Sequence, residues 1–234
     1  LYTLINVIRP FIVISISIPV NIIIFTGILL CTLIQKKKYR YGLAQISARM
    51  LLFLSGIKVN KIQNLISIKN CNAYYLGNFI GIESLPALIS VINEPTCLIL
   101  RWFNFYTPIF GWAFYLLNFI PFSNKISKVL SFINNRLEKE YSVINFPAGY
   151  VILHRTDSKT HFKSIVLRPL KSNIKIIPFA IIENELADSF WFRSIYTISF
   201  LESQEFDSNK SRLIQIEDIE RKVRNELFYI TLGE

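Results

Sequence analysis

From Pro10 to Gln35 the chain carries no charged residue, and Lys36-Lys37-Lys38-Tyr39-Arg40 then places four basic residues in five. No other feature restricts the possible architectures as strongly. Within Phe11–Ile34, 16 of 24 residues are Ile, Leu, Val or Phe. On an insertion scale these sum to at most about −5 to −10 kcal/mol in favour of the membrane. A helix of this length reaches across about 30 Å of hydrocarbon. A cleaved signal peptide would have a shorter apolar core, and a buried helix in a soluble domain is seldom so long. The segment is therefore expected to embed in a membrane, with the basic cluster on the cytoplasmic side. Pro19 and Asn21 leave a full span and a re-entrant pair both open.

The charge balance agrees with that placement. Of 234 residues, 26 are Lys or Arg and 16 are Asp or Glu, a net charge of +10. Such a balance suits nucleic acid, but no nucleic-acid-binding module or RNA-binding aromatic motif accompanies it. Anionic lipid is the better match, because the basic cluster directly flanks the apolar segment. With 52% apolar and 18% charged residues the chain is too hydrophobic for a disordered one. Three cysteines, Cys31, Cys71 and Cys97, show no CxxC spacing, so zinc and redox motifs are absent and all three are read as reduced thiols. No metal or cofactor is expected.

Past the basic cluster the periodicity changes. Leu43–Leu54 reads as a helix ending at Gly56. Short apolar runs of strand length follow at Ile57–Val59, Leu65–Ile68, Ala73–Leu76, Thr96–Leu100, Tyr141–Phe146, Ile174–Ile182 and Phe190–Phe200. Lys125–Glu140 places Ile126, Val129, Leu130, Ile133 and Leu137 on one helical face, and Ile216, Ile219, Val223 and Leu227 mark a last helix. Strands alternating with helices predict an α/β domain, a mixed sheet flanked by helices. The expected division is an anchor with its basic flank over residues 1–40 and one α/β domain over 41–234. An uncharged stretch from Trp102 to Asn124 holds ten aromatic residues, broken by Pro108, Gly111, Asn118 and Pro121. It is not a regular spanning helix. A headgroup-facing surface and an aromatic core both remain open for it.

Candidate chemistry is sparse. His154 and His161 sit in one polar run that reads as a solvated loop. No glycine-rich phosphate loop is present. Four segments nevertheless form an ordered series: Tyr75-Leu76-Gly77-Asn78-Phe79-Ile80-Gly81-Ile82-Glu83-Ser84; Pro108 to Trp112 with Leu117 to Phe122; Asn145-Phe146-Pro147-Ala148-Gly149-Tyr150; and Ile176-Ile177-Pro178-Phe179-Ala180-Ile181. In order and spacing they resemble the glycerolipid acyltransferase family, the 1-acyl-glycerol-3-phosphate (lysophosphatidate) acyltransferases, over roughly residues 35–230. The first resembles that family's N-H-x-x-x-x-D, the second the approach to G-x-I-x-x-x-R, the third F-P-E-G-T-R, and the fourth V-P-V-A-I. The N-terminal apolar segment is similar to the family's membrane anchor.

The resemblance implies acyl transfer to lysophosphatidate at the cytoplasmic face of a membrane. Membrane lipid and lysophosphatidate would be the partners, and acyl-CoA or acyl carrier protein the donor. It also implies a His general base oriented by an Asp, and those positions are Phe79 and Ser84. Phenylalanine has no lone pair to accept a proton, and loss of a positioned base costs about 10²–10⁴-fold. The phosphate-binding Arg of the second motif falls at Asn124. In the third motif Glu, Thr and Arg fall at Ala148, Tyr150 and Val151. Asn78, Phe146, Pro147, Gly149 and Pro178 keep the family's residue types. No catalytic residue is therefore assigned, and Asn124, Ala148, Gly149 and Arg101 are the candidate substrate-binding positions. The expectation is an inactive or weakly active relative. The alternatives are an active enzyme with a relocated base, His154, and a non-enzymatic lipid-binding scaffold.

Overall fold

The computed structural model describes residues 36–62, 73–106, 110–122, 125–147, 161–168, 170, 174–186 and 191–232, with scattered positions between 15 and 34. Five helices are described in full: α1 (Lys37–Ser55), α2 (Ser84–Val91), α3 (Phe110–Leu116), α4 (Ile126–Glu138) and α5 (Arg212–Leu232). Eight strands accompany them: β1 (Ile57–Ile62), β2 (Ala73–Gly77), β3 (Thr96–Arg101), β4 (Ile120–Phe122), β5 (Ser142–Asn145), β6 (Lys175–Glu185), β7 (Ser194–Phe200) and β8 (Gln204–Glu205). Short 3-10 turns follow β3 at Trp102–Tyr106 and precede β6 at Ser164–Leu167.

The strands form one sheet in the order β1-β7-β6-β2-β5-β3-β4, with β8 also paired to β6. From β6 to β4 every neighbouring pair is parallel, whereas β7 runs antiparallel to β6. The expected mixed sheet is thus present. Its central strand β2 is buried along its whole length, as a parallel strand covered on both faces must be. Alternate residues divide between the two faces. Tyr75 enters a core shared with α1 and α2, while Tyr74 and Leu76 enter a second core under α4 and α5. The molecule therefore has three layers, with the sheet in the middle.

Local chemistry accounts for the helices. Tyr41, Ala44, Ala48 and Leu52 recur at helical spacing and are buried on one face of α1. The helix stops at Gly56, whose φ of 70° suits glycine and whose N–H caps the Phe53 carbonyl at 3.0 Å. It starts earlier than its apolar pattern predicts, at Lys37, because Arg40 is buried among its first residues. Gln45 and Arg49 donate to the carbonyls of Ile89, Ile92 and Ser90, holding the end of α2 against α1. In α5, the four residues that predicted it from spacing are all fully buried.

The segment Trp102–Asn124 is not a helix but a 3-10 turn, α3 and β4, interrupted by undescribed positions. Its aromatics divide: Phe105 and Phe119 join the core, while Trp102, Phe103, Tyr106, Trp112, Tyr115 and Phe122 are exposed. The predicted strand Leu65–Ile68 lies outside the described residues. Half of the uncharged N-terminal segment does too. Where described, it is helical up to Leu33; Ile28 is buried in the α1–α2 core and the Phe25 ring lies 6.3 Å from Trp112. Among the described residues no helix is long and apolar enough to cross a membrane.

Candidate functional site

Parallel strands bring their carboxyl ends to one edge, where open α/β sheets form their crevices. Register sets the partners here. Leu76 of β2 lies opposite Asn145 of β5 on one side and Pro178 of β6 on the other. The residues just beyond, Asn78, Phe79, Phe146 and Phe179, are therefore neighbours, and three of the four predicted motif segments meet.

The residues that shape this edge are firmly held. Asn78 is fully buried and grips β6 with both ends of its amide. Its Nδ2 donates to the Ile181 carbonyl at 2.7 Å, and its Oδ1 accepts the Ile181 N–H at 2.7 Å. At Gly77 a Cβ would sit 2.3 Å from the Phe179 carbonyl oxygen, so the close passage of β2 past β6 admits only glycine.

The residues that would perform chemistry are of a different kind. The Phe79 ring packs on Phe146 at 5.1 Å between centroids, and Phe146 meets Phe179 edge-on at 6.0 Å. Aromatic packing thus occupies the position where the resemblance expects imidazole. Ser84, the first residue of α2, is fully buried, and its hydroxyl donates to the Gly81 carbonyl at 2.5 Å. That bond closes its own turn. Glu83, next to it, faces away and pairs with Arg193 at 3.3 Å. Arg101 is exposed at the end of β3, in register with Phe122 of β4. Asn124, Ala148, Gly149 and His154 lie outside the described residues.

One polar pair escaped the sequence reading. Nδ1 of His161 lies 3.1 Å from Oε1 of Glu220 on α5. Glu220 is 7% exposed and is fixed twice more: its Oε2 accepts the Phe162 N–H at 2.8 Å and its Oε1 accepts Nε of Arg224 at 2.8 Å. The His161 side chain is 75% exposed. Lys163, two residues on, donates its N–H to the Pro147 carbonyl at 3.3 Å, and the Tyr74 hydroxyl donates to the Val166 carbonyl at 3.0 Å. These bonds tie the His161 segment to a residue past the carboxyl end of β5 and to the start of β2. Only a fold could reveal the pair, because the carboxylate stands 59 residues along the chain.

No family model matches the sequence, and no curated protein matches it either. Among solved structures, the chain is similar to the crystal structure of the 1-acyl-sn-glycerophosphate (LPA) acyltransferase PlsC from Thermotoga maritima. The TM-score is 0.77 and the identity 12%, over 99% of this chain and 98% of that one. At that identity the likeness establishes the fold, so this chain has the α/β architecture of a lysophosphatidate acyltransferase of known structure.

Proposed function

We propose that the chain is a membrane-associated relative of the lysophosphatidate acyltransferases that has lost the usual catalytic base. In that reaction the free hydroxyl of 1-acyl-glycerol-3-phosphate attacks the thioester of acyl-CoA or acyl carrier protein; the C–S bond breaks, the donor leaves as its thiol, and phosphatidate is formed. The hydroxyl must surrender its proton as it attacks. The observation that carries the reading is the Phe79 ring against Phe146, 5.1 Å away, in place of a base. The Ser84 hydroxyl is spent on Gly81 and so orients nothing. Gly77 and Asn78 meanwhile keep the scaffold of the crevice. Membrane attachment is supported by the uncharged Pro10–Gln35 run and by exposed apolar side chains such as Ile23, Leu33 and Ile34. The basic flank then puts the α/β domain on the cytoplasmic side.

The test is complementation. The protein is supplied to cells lacking their own lysophosphatidate acyltransferase, and phosphatidate formation is measured. The wild-type chain is expected to give none. A variant carrying Phe79→His, Ser84→Asp, Asn124→Arg and Ala148→Glu is expected to restore it. Full activity of the wild type would overturn the inactive reading.

A second reading has its own observation. The His161–Glu220 pair holds Nδ1 on a carboxylate and leaves Nε2 as the nitrogen able to take a proton. It lies on the segment bonded to Pro147 of the third motif. An active enzyme using this pair would rescue the cells and lose that rescue in His161→Ala, while His154→Ala would leave it intact.

A further inference from the structure

We propose that the cleft between the start of α1 and the end of α4 is a binding site for a phosphate-bearing anion. This site is separate from the crevice at the carboxyl ends of the strands. It lies at the opposite edge of the sheet, where Tyr141 leads into β5 and Asn118 approaches β4. The cleft is open to solvent and has a volume of about 470 Å³. Lys37, Arg40, Arg136 and Lys139 line it, against two carboxylates, Glu138 and Glu140.

The polar groups form one connected network. Arg40 is 9% exposed, and its Nη2 donates to the Tyr141 phenol oxygen at 2.5 Å. The Asn118 amide donates to the same oxygen at 3.1 Å. With both lone pairs engaged, the phenol proton is left to donate. Nε of Arg136 donates to the Asn118 carbonyl at 3.0 Å. Lys37 reaches the Lys139 carbonyl at 2.8 Å and Glu140 at 3.5 Å, with its ammonium 5.0 Å from the centre of the Tyr141 ring. Glu140 is 76% exposed, so it offsets little of the charge within. Among the described residues neither Arg40 nor Arg136 has a carboxylate partner. A buried guanidinium facing only neutral acceptors has given up hydration without a compensating charge. An oxyanion in the cleft would supply that charge.

Two helix ends shape the cleft wall. Asn118 (φ 63°) and Glu140 (φ 58°) are the left-handed residues that end α3 and α4. The N–H groups just past them, of Phe119 and Tyr141, reach back to the carbonyls of Phe114 and Arg136 at 2.9 Å. Both caps line the cleft.

The chemistry favours phosphate over a carboxylate. Four cations, an amide and a phenol are more donors than two carboxylate oxygens can use, and guanidinium forks match phosphate oxygens in pairs. The cleft is also larger than a bare phosphate, which leaves room for an ester. Two sources carry that group, a lipid headgroup and a soluble phosphate ester. Thr32, on the helical segment that bears exposed Leu29, Leu30 and Leu33, borders the cleft and puts the first within reach.

The experiment uses the full chain in detergent. Inorganic phosphate is titrated against chloride at matched ionic strength, and the unfolding midpoint and phosphorus NMR line width are read. Phosphate is expected to raise the midpoint beyond chloride and to broaden the line. The double variant Lys37→Gln with Lys139→Gln is expected to bind about tenfold more weakly. Arg40→Lys, which keeps the charge and loses the fork, should weaken binding as well. Lys128→Gln, on the exposed side of α4, should leave it unchanged. Phosphatidylcholine vesicles containing phosphatidate are then added. Competition with inorganic phosphate assigns the site to a headgroup, and absence of competition assigns it to a soluble ester; either outcome upholds the site. No response of the wild type to either probe overturns it, as does an undiminished response of the double lysine variant. That variant alters exposed or half-buried side chains, so its folding is not in question if Arg40→Lys fails to fold.

Discussion

The two ends of the sheet have taken opposite courses. At the carboxyl ends, where the acyltransferase resemblance expects a base and an orienting carboxylate, the fillers are Phe79, Phe146 and Phe179, and the Ser84 hydroxyl closes its own turn. At the amino ends the polar groups are numerous and interlocked. Arg40, Asn118, Arg136 and Tyr141 form one network there. Beside it, Glu94 accepts hydroxyls from Tyr75 at 2.8 Å and Ser142 at 2.6 Å. Aromatic packing thus stands at one edge where the resemblance expects groups that do chemistry, while Gly77 and Asn78 hold the strands together there.

This contrast predicts that the scaffold of the crevice matters more for stability than the positions where the resemblance expects working residues. The largest effect is expected at Asn78. Asn78→Ala strands both the N–H and the C=O of Ile181 in the core, each costing about 1–3 kcal/mol, so a loss of about 4 kcal/mol is expected from denaturant unfolding. A loss under about 1 kcal/mol, the size of an ordinary surface change, would mean that the strand pairing does not depend on this amide.

At the opposite edge, Tyr141→Phe removes the oxygen that accepts from both Arg40 and Asn118. A cost of about 2–3 kcal/mol is expected, because a buried cation loses its acceptor. Saturating phosphate should recover part of it. A cost that phosphate leaves untouched would sharpen the contrast differently, by making the network purely structural.

Phe79→His should cost much less, about 1 kcal/mol, the value of one aromatic pair beyond its burial. On its own it should restore little turnover, because Ser84 cannot orient the new imidazole. Phosphatidate formation by this single variant at the level of the fourfold one would show that the position tolerates a base without its partner.

How much of this contrast was legible in the sequence depends on the range of the interactions. Elements whose cause is local were readable. The four apolar residues of α5 predicted it from spacing, and Gly56 predicted the end of α1. The replacements at Phe79 and Ser84 were readable too, since they lie in one short motif. The start of α1 was misplaced because Arg40 counts as polar in any pattern, although its side chain is buried. The sites assembled from distant parts were silent. Arg40 meets Tyr141 101 residues along, and His161 meets Glu220 59 residues along. The aromatic stretch gave no answer because its residues divide between core and surface within single turns, as Phe105 and Tyr106 do.

The smallest expected effect concerns Glu94, and it tests whether the amino-end network is built for a charge. Burial pushes its carboxyl above the usual range, while the hydroxyls of Ser142 and Tyr75 pull the other way. A group whose folded-state pKa is raised holds its proton more tightly when folded. Its contribution is therefore fully present below the ordinary glutamate pKa and is lost as pH rises through the folded value. Glu94→Gln keeps an oxygen for both hydroxyls and removes the titration. Relative to the wild type, the variant should gain stability as pH is raised from about 4.5 toward neutrality and then hold a constant difference. A difference that does not change with pH would mean that Glu94 is no harder to ionise in the fold than in the unfolded chain. The hydroxyls of Ser142 and Tyr75 would then fully offset the burial, and the amino-end network would accommodate the carboxylate as a charge.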